Sequence, residues 1–134
     1  GGNMNGPHIP VLAIDDEVEI LAQISGILNE AGYCCHCATD ARSACETLTR
    51  AVPELIIADV NLAGHSGAAV CEQLVEHARL GEVPILFLSA SQGPDIIRRT
   101  HAARGTYYLR KPFDAGVLLQ LVEKARDAAH AAHA

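Results

Sequence analysis

The sequence predicts a doubly wound α/β fold, one parallel sheet with helices on both faces, on three observations. Short apolar runs recur five times, at 9–14, 33–38, 54–58, 84–88 and 107–109, and several are continuous rather than alternating. Continuous runs suit parallel strands covered on both sides. The segments between them repeat apolar residues at three- and four-residue steps, the period of a helix with one buried face. The chain has 134 residues, the size of a single domain. Strand and helix alternating in this way build a sheet of crossover units.

Each element has its own signal. The first helix carries Val18, Leu21, Ile24, Ile27 and Leu28, with Gly32 as its stop. The second is expected at about 40–51, with Ala44, Leu48 and Ala51 on one side and Pro53 beyond it. The third spans 68–80, carries Val70, Leu74 and Val75, and ends at Gly81. The fourth begins near Gly93-Pro94 and includes Ile96 and Ile97. The fifth follows Pro112, with Leu118, Leu121, Val122 and Ala125 as its apolar stripe. Residues 1–8 read as a disordered tail whose Gly1-Gly2 has the look of an expression scar. Residues 9–127 read as the domain, and the Ala/His segment 128–134 as a helix extension or a fraying tail.

Composition narrows the function. Hydrophobic residues make up 49%, enough for a full core, and with no Trp, two Phe and three Tyr that core must be aliphatic. The net charge of −6 argues against direct nucleic-acid binding by this domain, which would need a basic face. Five cysteines, an odd number, and the lack of any signal-like or long apolar run are read as reduced thiols in a cytoplasmic protein that enters no membrane.

In a doubly wound sheet, ligands bind beyond the carboxyl ends of the strands. Strand one ends in Asp15-Asp16-Glu17, strand three in Asp59, strand four in Ser89-Ala90, and strand five leads into Lys111-Pro112-Phe113. Carboxylates gathered in one crevice repel one another unless a cation sits among them. Their oxygens, with carbonyls and water, are the ligands Mg²⁺ prefers. Acids, metal, ammonium and hydroxyl together suit phosphoryl transfer, and a carboxylate can itself be the nucleophile.

In order and spacing these residues resemble the receiver domain of two-component response regulators over roughly 9–126. The resemblance rests on Asp15-Asp16, on Asp59 after Leu55-Ile56-Ile57-Ala58, on Gly67 eight residues later, on Leu88-Ser89-Ala90, and on Tyr108-Leu109-Arg110-Lys111-Pro112-Phe113. It implies a flavodoxin-like five-stranded sheet of order 2-1-3-4-5 with five helices. It implies Asp59 as phosphoacceptor. Mg²⁺ would be held by Asp16, Asp59 and the backbone carbonyl of Asn61, with Asp15 acting through water. Lys111 would pair with the phosphoryl group, Ser89 would move toward it, and Tyr108 would follow from exposed to buried. Asn61 and Ser91 occupy positions that tune hydrolysis, and the Lys111-Pro112 bond is cis in resembling domains. The implied partners are a sensor histidine kinase or phosphotransfer protein, a downstream output domain or protein, and a second copy docked through the fourth helix, fifth strand and fifth helix, the face that switches. The implied role is a signalling phosphoacceptor that catalyses only its own phosphoryl uptake and loss. One departure is clear: the family commonly has Pro four residues after the acceptor, where this chain has Ala63, so a freer loop is expected at 63–67.

Other readings compete. Asp15-Asp16-Glu17 could cap the first helix. A haloacid-dehalogenase-like phosphohydrolase would need an acid two residues after its nucleophile, where Asn61 stands, and an amide cannot do that proton work. A docking module that is never phosphorylated typically loses the acidic pair, the acceptor or the lysine, and all are present. Cys34, Cys35, His36 and Cys37 suggest zinc, but neighbours on a strand point to opposite faces and do not converge. They are read instead, with Cys45 and Cys71, as small core thiols. His65, the His130/His133 pair, and Arg98, Arg99 and Arg104 are read as solvated.

Overall fold

A computed structural model describes residues 8–90 and 106–132. In chain order the elements are β1 (Ile9–Ile14), α1 (Val18–Glu30), β2 (Tyr33–Ala38), α2 (Ala41–Leu48), β3 (Leu55–Asp59), β4 (Asn61–Leu62), β5 (His65–Ser66), α3 (Gly67–His77), β6 (Ile85–Ser89), β7 (Thr106–Arg110) and α4 (Ala115–Ala132). β4 and β5 form a small antiparallel hairpin. The other five strands make one parallel sheet of order β2-β1-β3-β6-β7. Counted among the sheet strands alone, that is the expected 2-1-3-4-5. The described residues contain four helices, and the helix expected from Gly93-Pro94 onward lies outside them, as does Ser91. Among the described residues no helix is long and apolar enough to cross a membrane.

The continuous apolar runs have the cause expected of them. Alternate side chains of each central strand enter two separate cores. Leu12, Ile14, Ile56, Ala58, Ile85 and Phe87 meet α2 and α3 on one side. Val11, Ala13, Leu55, Ile57, Leu86 and Leu88 meet α1 and α4 on the other. In α1 the buried stripe is Leu21, Ile24 and Leu28. In α4, Leu118, Val122 and Ala125 are buried.

Local chemistry sets the helix ends. Asp40 caps α2 by accepting the Ser43 N–H at 2.8 Å, and the Asp40 N–H donates to the Ser43 hydroxyl oxygen at 3.3 Å, a reciprocal capping box. Both α2 and α3 stop about three residues before the ends expected from their apolar spacing. After α3, Arg79 and Gly81 both take positive φ, at 54° and 69°, which no helix continues. At the C-terminal end α4 runs as far as Ala132.

The cysteines differ from the core reading. Cys71 is buried, Cys34, Cys35 and Cys45 are half-buried, and Cys37 is exposed. β2 is an edge strand with thinner cover than the central strands, so apolar-looking thiols there remain reachable.

Candidate functional site

The carboxyl ends of β1, β3, β6 and β7 lie side by side, because the register pairs Ile14 with Ala58, Asp59 with Leu88, and Ser89 with Arg110. One residue beyond those pairs stand Asp15, Ser89 and Lys111. Parallel pairing thus turns four sequence-distant strand ends into one crevice.

At its centre is the Lys111 ammonium. Its Nζ lies 2.6 Å from Asp59 Oδ2, 2.9 Å from Asp15 Oδ2 and 3.2 Å from Glu17 Oε2. The Lys111 N–H donates to the Ser89 carbonyl at 2.8 Å, which fixes the base of the side chain across the end of β6. The Lys111-Pro112 peptide is cis. Burial alone would favour the neutral amine, but the hydrogen bond to Asp59 and the nearby charge of Asp59 and Asp15 outweigh it and hold the lysine above its ordinary pKa.

Asp15 is wholly buried. Its Oδ1 accepts the Glu17 N–H at 2.9 Å. Its Oδ2, although close to the ammonium, has no aligned hydrogen-bond donor. Burial raises its pKa, against the opposing pull of the Glu17 N–H and Lys111. Asp59 is nearly as buried, and its Oδ1 accepts the Asn61 N–H at 2.8 Å. Ser89 is buried at the end of β6. Tyr108 is half-buried on β7, and its ring stacks on Phe87 with centroids 6.3 Å apart.

Glu17, which the sequence offers only as part of an acidic run that ends the first strand or caps the first helix, belongs to this group. It sits at the N-cap of α1 but makes no side-chain cap bond, and its carboxylate turns to Lys111 instead. That geometry disfavours simple helix capping as the purpose of the acidic run. The signal was present in the sequence as the third acid of Asp15-Asp16-Glu17, but only the turn into α1 shows which acids face inward. Asp16 is exposed.

Three carboxylates, Asp15, Glu17 and Asp59, have oxygens within 4.8 Å of one another. A hard, oxygen-seeking cation suits this donor set. The undirected Oδ2 of buried Asp15 is the kind of atom that a metal or its water satisfies. The residues therefore fit Mg²⁺.

Two backbone features shape the rim. The Gly67 N–H donates to the Val60 carbonyl at 2.8 Å, and a side chain on Gly67 would overlap the Asp59 carbonyl oxygen. This explains a glycine eight residues after Asp59: α3 starts against the backbone that carries that residue. Where a freer loop was expected, β4 and β5 close a two-residue hairpin, pairing Leu62 with His65. Ala63 and Gly64 take φ of 50° and 87°, the double positive φ of the commonest tight hairpin turns. Asn61 Oδ1 accepts the Gly64 N–H at 3.1 Å and braces the turn. Proline, locked near −65°, could not occupy Ala63 as it stands.

Comparison with known proteins agrees with this geometry. Residues 11–123 match the response regulator receiver domain. The nitrogen assimilation regulatory protein NtrX of Azorhizobium caulinodans is 34% identical over 121 residues, covering 86% of this chain and 25% of that protein. The transcriptional regulatory protein YxdJ of Bacillus subtilis is 25% identical over 113 residues, 84% of this chain and 48% of that protein. The chain thus spans a quarter to a half of the length of these two relatives. The solved structure of chemotaxis protein CheY4 of Vibrio cholerae superposes with a TM-score of 0.82 at 29% identity, covering 89% of this chain and 99% of that one. With an acidic pocket at the switch point of a 2-1-3-4-5 sheet and a family match across most of its length, the chain belongs to the response regulator receiver domain family of two-component signalling.

Proposed function

We propose that Asp59 accepts a phosphoryl group from a sensor histidine kinase or phosphotransfer protein in a Mg²⁺-dependent reaction, and that the resulting charge switches the face that includes β7 and α4. The observation that carries this reading is the single ammonium of Lys111, 2.6 Å from Asp59 and 2.9 Å from buried Asp15. It holds the acceptor carboxylate at a fixed place in a crowded acidic crevice.

The residues divide the work. Asp59 oxygen attacks phosphorus, forming an acyl phosphate as the phosphorus–nitrogen bond of the donor phosphohistidine breaks. Lys111 offsets charge on the transferred oxygens, and Ser89, buried beside it, is the hydroxyl donor to them. Asp16, Asp59 and the Asn61 carbonyl would hold Mg²⁺, with Asp15 acting through water. When bound, the ion offsets the repulsion among carboxylates and phosphoryl oxygens. Glu17 adds a third partner for Lys111, one that the incoming phosphoryl group must displace.

A phosphoryl group brings roughly −1.5 to −2 charge and strong acceptors. Ser89 turning toward it leaves room for Tyr108, already half-buried against Phe87, to move inward. This couples a local electrostatic event to the β7 face. Partners that distinguish the two states, an output domain or protein or a second copy of the chain, would read it. Asn61 and Ser91 are the residues proposed to tune hydrolysis.

The test is incubation with Mg²⁺ and acetyl phosphate beside an Asp59→Asn variant, weighed as intact protein. One phosphoryl adduct on the wild type, absent from the variant and with EDTA, is expected. No adduct and no Mg²⁺ binding in a folded wild type would reject the switch in favour of a docking module.

A further inference from the structure

β2 stands at one edge of the five-stranded sheet, with β1 beside it. Side chains alternate along a strand, so Cys34, Cys35, His36 and Cys37 do not all converge, but alternate members share a face. Cys35 packs on the α1 side of the sheet, and Cys37 places its Sγ 3.9 Å from the Leu21 carbonyl of α1. Cys34 and His36 project from the opposite face, and both are half-buried. There Cys34 Sγ lies 3.6 Å from His36 Nε2.

That separation matches the bite of a metal ion. Zinc binds thiolate sulfur at about 2.3 Å and imidazole nitrogen at about 2.0–2.1 Å, so at the tetrahedral angle its two donor atoms lie about 3.5–3.6 Å apart. The pair needs almost no movement to close on an ion. The residues beside them on β1 are Pro10 and Leu12, whose side chains carry no ligand atom. The described sheet has no strand beyond β2, so water has access to the remaining coordination positions. Sulfur with imidazole nitrogen suits Zn²⁺, whereas Mg²⁺ prefers an all-oxygen set. The edge strand and the acidic crevice thus differ in the cation each selects.

We propose that Cys34 and His36 form a binding site for a zinc-like divalent cation on the edge strand, with water completing the tetrahedron and one ion held per chain. On binding, the Cys34 thiol releases its proton to water and coordinates as thiolate, and His36 coordinates through the lone pair of neutral Nε2. The existing sulfur–nitrogen contact gives way to two bonds to the ion. No electron changes hands, and no co-reactant is needed.

The experiment uses the whole chain, kept reduced with a phosphine. Co²⁺ serves as the spectroscopic probe for zinc, and Mg²⁺ in excess keeps it from the carboxylates. Cobalt bound to thiolate has a near-ultraviolet charge-transfer band that cobalt on histidine or carboxylate alone lacks, so the surface histidines cannot imitate it. Wild type should show this band, saturating at one Co²⁺ per chain, and lose it when Zn²⁺ is added. Cys34→Ser should abolish the band. His36→Gln should weaken Co²⁺ affinity at least about tenfold, the loss that removing even a group behind a metal ligand brings. Cys35→Ser and Cys37→Ser should leave band and affinity as in wild type. A wild type with no band at millimolar Co²⁺, a band that survives in Cys34→Ser, unchanged affinity in His36→Gln, or one ion per two chains would each overturn the proposal. The first of these needs no variant, so the proposal can fail on wild type alone.

Discussion

Replacing Gly67 with alanine would drive a methyl group into the backbone that carries Asp59. The new carbon would overlap the Asp59 carbonyl oxygen and lie 2.9 Å from its carbonyl carbon and 3.1 Å from Val60 Cα, where ordinary contact begins at 3.4 Å. All three neighbours are main-chain atoms. They are held by the Gly67 N–H on the Val60 carbonyl at 2.8 Å and the Val60 N–H on the Leu88 carbonyl at 2.9 Å, so no rotamer change relieves the clash. Overpacking a buried position costs about 1–3 kcal/mol. Alanine's better helix propensity returns at most about 1 kcal/mol, and less than that in the first turn. The expected net loss is about 1–2 kcal/mol, which lowers the urea midpoint by roughly 0.5–1 M at the slopes usual for small domains. Gly26 is the control: it is exposed on α1 with no atom near a would-be Cβ, so Gly26→Ala should stabilise by about 0.5–1 kcal/mol. Phosphoryl uptake from acetyl phosphate should also slow in Gly67→Ala as Asp59 shifts relative to Lys111. A Gly67→Ala midpoint at or above wild type would refute the close packing of α3 on β3.

Three further outcomes follow from the site. Asp15, buried and with its pKa raised chiefly by burial, binds a proton more readily folded than unfolded. The Asp15 contribution to the stability of the metal-free domain should therefore be present in full below the ordinary value of 3.8 and be lost as pH rises through the folded value. Asp15→Asn should flatten this dependence in urea melts at a series of pH values. The same change should weaken Mg²⁺ binding, measured by calorimetry. At Ala63, φ of 50° makes Ala63→Gly stabilising by about 1 kcal/mol, whereas Ala63→Pro should destabilise despite matching the family's common residue. Equal urea midpoints for the two would show that the hairpin does not hold that turn in solution.

The sequence by itself determined the class of fold and the chemistry of the site. Five apolar runs separated by helical spacing specify strands and helices through local periodicity. Asp15, Asp59, Ser89 and Lys111 could be placed in one crevice because parallel strands bring their carboxyl ends together. What it left open depended on side-chain direction and loop closure. Glu17 faces Lys111 because the chain turns into α1 just there, and no spacing rule shows which acid of a run turns inward. Ala63-Gly64 closes a hairpin because Asn61 braces it and both residues accept positive φ, a result of the surrounding contacts rather than of propensity. Cys37 reads as a core thiol and is exposed because sheet order puts β2 at an edge. Edge or centre is settled by which strands pair, and pairing joins residues far apart in the chain, where local pattern carries no information.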